Sequence, residues 1–237
     1  MIPRTTSCVK ILIIANIVCW FFLVSILQRF FVKSDIIYQL FGFVPSSIEN
    51  SFFIWQFFTY MFVHSQGVFH ILFNMLVLWM FGSELEQLWR KKFFLTYYVV
   101  CGVGAALIYF IGVKLYSLFG DSNAVMNIPV VGASGAVFGL LLAYGWIFGE
   151  RIVLFMFIIP MKARTFTFII AGVELMTILN SGFGSPVANL AHLGGLISGF
   201  LFLKYRSVIQ KMKTNRRSFN FFKKRSKLTV LNGKAND

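Results

Sequence analysis

The 237-residue chain is 58% hydrophobic and 18% aromatic, with only 13% charged residues and a formal charge of +14. Such a composition excludes an ordinary water-soluble domain and points to one membrane domain. The positive charge does not require a nucleic-acid partner, because eleven of the 22 Lys and Arg residues lie between Lys204 and Lys234, after the last apolar run. A basic tail there is held inside and attracted by anionic lipid. Cys8, Cys19 and Cys101 have neither metal-ligand nor redox spacing, and their odd number argues against a disulfide framework.

Several separated apolar runs approach the length a helix needs to cross ~30 Å of hydrocarbon, which predicts an all-α, polytopic bundle. The first span is Ile11 to Leu27, after Arg4 and Lys10. It is expected to be retained, since Gln28, Arg29, Phe30 and Phe31 follow in place of a small-residue cleavage pattern. Gln28 to about Tyr60 reads as a long external loop lying partly in the interface, with Trp55 and Tyr60 at headgroup level. The second span runs from about Val68 to Phe81 and continues as a more polar helical end through Leu88. Arg90, Lys91 and Lys92 then mark cytoplasm, and the third span covers Phe93 to Val113. Gly120, Asp121, Ser122 and Asn123 signal another external loop between Tyr116 and Pro129.

Helical patterning resumes at Ser134 and reaches Phe148, only fifteen residues. That is roughly 22 Å at 1.5 Å per residue, short of a crossing. Span four therefore starts inside the membrane, and the preceding VVGA dips to that depth as non-helical backbone, tolerated only beside protein or an aqueous cavity. The run IVLFMFIIP has nine residues, too few to span as a helix, and is assigned to the cytoplasmic interface. Thr165 to Leu179 is span five, Asn180 to Pro186 an external turn, and Val187 to Leu203 span six. This arrangement puts Arg29, Lys33 and Lys114 outside and the other nineteen basic residues inside, so both termini are cytoplasmic. It divides the chain into a six-span domain, 1–204, with a core at about 55–203, and a basic tail, 205–237.

Two small-residue stripes stand out. Gly135, Gly139 and Ala143 follow Ser134, and Ala191, Gly195 and Gly199 surround His192. Such stripes let helix backbones approach closely in lipid. Packing along them would bring Ser134 and His192 together near the external ends of spans four and six. A hydroxyl becomes a nucleophile when a neutral imidazole takes its proton. Equally, Ser134 could cap a tight helix start between Gly132 and Gly135. His70 and Asn74, four apart on span two, could hold a developing oxyanion or act as hydrogen-bonded glue. Glu174 is the one acid deep in a span. The sequence does not show it facing His192, so a Ser/His dyad is the more economical reading. No metal-ligand motif is present, and no metal or other cofactor is expected.

These elements together resemble the rhomboid family of intramembrane serine proteases. The likeness covers roughly Trp55 to Phe200. It joins Trp55, HSQGVFHILFN from His64 to Asn74, Gly82, Glu86, the Gly-x-Ser-Gly of Gly132 to Gly135, and AHLGGLISG from Ala191 to Gly199. The resemblance implies a six-transmembrane-helix rhomboid bundle with a membrane-dipping loop before span four. It implies Ser134 as nucleophile, His192 as general base, and His70, Asn74 and the Ser134 amide around the oxyanion. Trp55, His64, Glu86, Gly132, Gly135, Gly195 and Gly199 would be structural. Two positions depart from the family pattern. Gln56 stands where many members carry arginine, which removes a charged anchor from the first loop. Phe138 stands where some carry tyrosine, and keeps stacking on the histidine while losing the hydroxyl.

The expected activity is endopeptidase cleavage in or near transmembrane segments of single-span or polytopic membrane proteins, in a bacterial plasma (inner) membrane, with the site toward the external face. Span five and Ser181 to Pro186 would gate access. Membrane lipids, anionic near the tail, are the other expected partners. The competing classes are a non-catalytic rhomboid-like protein that binds membrane clients and a small transporter.

Overall fold

The computed structural model describes residues 3–32, 35–118, 123–155, 158–181 and 188–207. By contact density the chain divides into Met1–Phe200 and Leu201–Asp237. The packing described below lies within the first unit. The described part of the second, 201–207, is helical, and the rest of the predicted basic tail lies outside the described residues.

Helix α1, Ser7–Phe31, is regular to Cys19 and π-helical from Trp20. It begins before the predicted Ile11 because a distant acid caps it. Glu86 Oε1 accepts the Cys8 N–H at 3.0 Å, Oε2 accepts the Val9 N–H at 3.0 Å, and the Thr6 hydroxyl also donates to this carboxylate. The first turn of a helix has no internal acceptors for its N–H groups and favours a nearby anion, so Glu86 serves both needs. Residues 28–31, expected in the loop, belong to α1. Gln28 is buried, and its Oε1 accepts the Ile37 N–H at 3.0 Å.

The segment expected as a plain external loop folds into short helices: α2, Ile36–Phe41; α3, Pro45–Ser51; and α4, Gln56–Thr59, followed by a 3₁₀ turn over Tyr60–Phe62. Gln56 organises them. Its side chain is fully buried, with Nε2 donating to the Gln39 carbonyl at 2.6 Å and Oε1 accepting the Val44 N–H at 3.0 Å. The charged anchor is absent at this position, and a neutral amide fastens the segment in its place. It satisfies a carbonyl and an N–H that helices cannot, as burial demands. Trp55 stacks on Phe53 with centroids 4.5 Å apart and donates its indole N–H to the Leu40 carbonyl at 2.8 Å, fastening the same segment.

Helix α5, Val68–Trp89, contains one π-helical stretch at Leu78–Gly82 and reverses at Arg90 (φ +67°) into α6, Lys91–Ser117. Of the predicted loop 116–129, residues 119–122 lie outside the described residues, and α7, Asn123–Met126, takes up Asn123. Helix α8, Ser134–Ile147, packs along α6, and buried tyrosines tie the bundle to backbone. Tyr97 donates to the Gly139 carbonyl at 2.8 Å and Tyr60 to the Gly102 carbonyl at 2.7 Å.

The apolar run after α8 is an antiparallel hairpin of β1, Ile152–Phe155, and β2, Ile159–Lys162, with Ile152 opposite Lys162. It is the one sheet among the described residues of an otherwise helical chain. The β-branched run is too short to span and long enough for a hairpin. Arg151 pairs with Glu84 of α5 and Lys162 with Glu150 at 2.7 Å, clamping its base. Helix α9, Ala163–Ser181, follows and runs past the predicted turn start at Asn180; residues 182–187 of that turn lie outside the described residues. Helix α10 covers 188–207.

Four of these helices are long and apolar enough to cross a membrane: Ser7–Phe31, Val68–Trp89, Lys91–Ser117 and Ala163–Asn180. Their outward faces carry large exposed apolar side chains, among them Phe22, Phe73, Ile111 and Phe168. Such a belt suits lipid and not water. The protein is an all-α polytopic membrane protein with a small hairpin at one end.

Gln56→Leu removes both bonds at constant burial and strands the Val44 N–H and the Gln39 carbonyl. We expect a loss of about 2–4 kcal/mol, read as a lower midpoint of thermal unfolding in detergent. An unchanged midpoint would show that the segment is held without the amide.

Candidate active site

The site is built where α8 begins partway through the bundle. The chain that enters it, residues 129–133, is not helical, so each buried backbone group needs a partner from elsewhere. Val130 exchanges two hydrogen bonds with Phe43, at 2.8 and 2.9 Å. The Gly132 N–H reaches the Tyr60 carbonyl at 2.9 Å, and the Ala133 N–H reaches His64 Nε2 at 3.4 Å. His64 is fully buried, and burial together with neighbouring His70 pushes its pKa down to about 3, so the ring is neutral and can accept. Gly132 has φ +117°, and a Cβ there would lie 2.9 Å from His70 Nε2. Only glycine meets both conditions at this position.

Ala133 is the N-cap of α8 and no side chain caps it, so the Ser134 hydroxyl is not used as a cap. It lies 2.8 Å from His192 Nε2. The two helices meet through glycine. A Cβ on Gly195 would fall 1.9 Å from the Gly135 carbonyl oxygen, and one on Gly139 would fall 3.3 Å from the Gly195 carbonyl oxygen. Gly199 is equally tight, against the Tyr97 hydroxyl at 2.4 Å. Phe138, one turn beyond Ser134, stacks on the His192 ring at 4.2 Å with the planes 10° apart. The ring is thus held flat by an aromatic face and aimed at the hydroxyl.

His70 and Asn74 sit on the first turns of α5, on the Ser134 side. The Ser65 N–H donates to His70 Nδ1 at 3.3 Å, so this nitrogen is an acceptor and the proton of a neutral ring lies on Nε2, above Gly132. Asn74 is buried, and its Nδ2 donates one hydrogen to the His70 carbonyl at 2.8 Å and keeps a second. Trp55 and Glu86 are in the segments described above, remote from this cluster.

One side chain at the site was not anticipated there. Glu174 of α9 places Oε1 3.0 Å from His192 Nδ1, while Oε2 accepts from Asn189 Nδ2 at 2.6 Å. The sequence signal was the isolated acid in a span. What it lacked was the rotation of α9 that turns this acid toward α10.

The fold and the cluster define a multi-pass helical membrane protein whose buried polar groups converge at the start of one short helix. Residues 51–208 match the family model described as Rhomboid domain. The chain is 36% identical over 149 residues to RHOMBOID-like protein 1 of Arabidopsis thaliana, covering 62% of this chain and 33% of that protein. It is 31% identical to Rhomboid protease GluP of Bacillus subtilis (strain 168), covering 62% and 25%. It is 26% identical over 193 residues to Rhomboid protease GlpG of Haemophilus influenzae (strain ATCC 51907 / DSM 11121 / KW20 / Rd), covering 81% and 88%. The chain thus spans a third or less of the length of the first two of these relatives. It belongs to the rhomboid family.

Gly195→Ala inserts a methyl into the α8–α10 contact, where the opposing atom is backbone and cannot yield. Overpacking of this kind costs about 1–3 kcal/mol. We expect a lower midpoint of thermal unfolding, whereas Gly172→Ala, on an open face of α9, leaves it unchanged. Equal behaviour of the two variants would contradict the contact.

Proposed function

We propose that the protein is an intramembrane serine endopeptidase that hydrolyses peptide bonds in or near transmembrane segments of other membrane proteins. The observation that carries this reading is the 2.8 Å approach of Ser134 Oγ to His192 Nε2 at the N-terminus of a helix. In that geometry Nε2 accepts the hydroxyl proton as Oγ attacks the carbonyl carbon. The imidazolium then gives the proton to the leaving amine, and a water deprotonated by the same nitrogen releases the acyl group. The oxyanion forms beside the first-turn N–H groups of α8, which have no internal acceptor, with His70 Nε2–H and the second Asn74 hydrogen as further donors. Preorganised donors act most strongly where water is scarce.

The proposed topology has six crossings, α1, α5, α6, α8, α9 and α10, with α8 the short one. The nineteen-to-three split of Lys and Arg supports cytoplasmic termini and a site toward the external face. The Lys114–Glu49 pair, at 2.8 Å, joins two segments assigned to that face. A substrate helix must unwind before Ser134 can reach its backbone, which favours substrates with weak helix formers at the cut. The named proteases among the relatives support the reaction class.

Purified protein in liposomes, given a panel of single-span reporters, should cleave at least one and be labelled by fluorophosphonate at Ser134. Ser134→Ala and His192→Ala, each verified as folded, should lower turnover at least about 1000-fold. A folded parent that neither cleaves nor labels would move the protein to the client-binding or transporter class.

A further inference from the structure

We propose that Glu174 is a positioning residue for His192, holding the imidazole in the tautomer that leaves Nε2 free to take the Ser134 proton; this rests on the hydrolase reading above. A neutral imidazole carries its proton on one nitrogen only. If the proton is on Nε2, the ring donates to Ser134 Oγ and cannot act as its base. An acceptor at Nδ1 selects the productive form. Glu174 Oε1 is such an acceptor, 3.0 Å from Nδ1, on the side of the ring opposite Ser134.

The rest of the arrangement fixes that acceptor. Asn189 and His192 are three apart on α10 and share a face. The Asn189 amide donates to Glu174 Oε2 at 2.6 Å, so one carboxylate is gripped at both oxygens from a single neighbouring helix. The Glu174 and His192 side chains are only 11% and 18% exposed, which strengthens a charge-assisted bond and makes an unpartnered carboxylate costly. Phe138 stacking removes the remaining rotational freedom of the ring. The titratable groups facing His192 are Glu174 from α9, Ser134 from α8 and, at longer range, His70 from α5. Among them only Glu174 engages Nδ1.

During attack the Oγ–H bond breaks and the proton passes to Nε2 as Oγ bonds the carbonyl carbon. The Nδ1 proton stays with the ring, and the carboxylate remains unprotonated beside an imidazolium. Glu174 touches neither substrate nor the reacting oxygen, so its effect reaches chemistry through His192.

The chain has three histidines, which makes ¹⁵N-histidine labelling tractable. In the parent, the His192 ring should show the Nδ1–H tautomer. Glu174→Leu, which offers no acceptor, should transfer a major part of that population to Nε2–H and lower kcat about 100-fold, with KM within about twofold. Glu174→Gln, nearly the same shape with one acceptor oxygen and no charge, should keep the tautomer and lower kcat about tenfold. Neither result is expected of a residue that merely latches α9 to α10. Release of a latch would change KM or raise kcat, and either outcome would overturn the proposal, as would an unmoved His192 spectrum in Glu174→Leu. If Glu174→Leu does not fold, an unchanged kcat in folded Glu174→Gln overturns it equally. If the parent neither cleaves nor labels, the spectrum still decides. A tautomer shift upholds the positioning role and assigns the failure to the hydrolase reading, and no shift sinks the positioning role itself.

Discussion

A polypeptide that leaves helical geometry within a packed bundle must find partners for its buried N–H and C=O groups, and residues 129–133 are where this protein meets that demand. Phe43, Tyr60 and His64 supply the partners through Val130, Gly132 and Ala133. All three come from the segment between α2 and α5, which explains why that segment is folded into short helices with its own internal anchors. Gln56 and Trp55 hold the segment, the segment holds residues 130–133, and these set where α8 begins. Ser134 is the first residue with helical neighbours on one side only. Its place follows from a chain of backbone hydrogen bonds that starts more than seventy residues earlier.

That placement alone would leave Ser134 without a partner. The second determinant is lateral and depends on the absence of side chains. Where Gly135 faces Gly195 the helices approach until an added Cβ would overlap a carbonyl oxygen. In lipid there is little hydrophobic drive to bring helices together, so dispersion over such a close contact carries the association. His192 lies three residues before Gly195, just under one turn away, and the close approach delivers its ring to Ser134. One methyl at that crossing acts on the distance between two side chains it never touches.

Much of this was legible in the sequence, and what was not has a common cause. Apolar run length located the long helices, and the short run from Ser134 marked α8. The two glycine stripes pointed to each other. Glu174 could not be placed, because α9 is apolar nearly all round and faces both lipid and protein. Periodicity distinguishes oil from water and cannot distinguish oil from core, so the rotation of such a helix is invisible in its pattern. The bonds made by Gln56 were hidden for a related reason. Its value as an anchor depends on two backbone groups, at Gln39 and Val44, that a local reading cannot know are left over by the turns around them. The nine-residue run after α8 was correctly too short to span, but run length does not separate a buried helix fragment from a hairpin.

The position of Glu174 links chemistry to access. Its carboxylate is held by two groups on α10, Asn189 and His192, and it is carried by α9. Under the proposed function a substrate helix must enter between helices of the bundle. If α9 moved aside, Glu174 would leave both Asn189 and His192. Departure also removes the acceptor from Nδ1. Activation of the hydroxyl would then be weaker until α9 packs against α10 again. Under the proposed function, one acid carried by α9 and held by α10 would make the strength of the base depend on how these two helices pack.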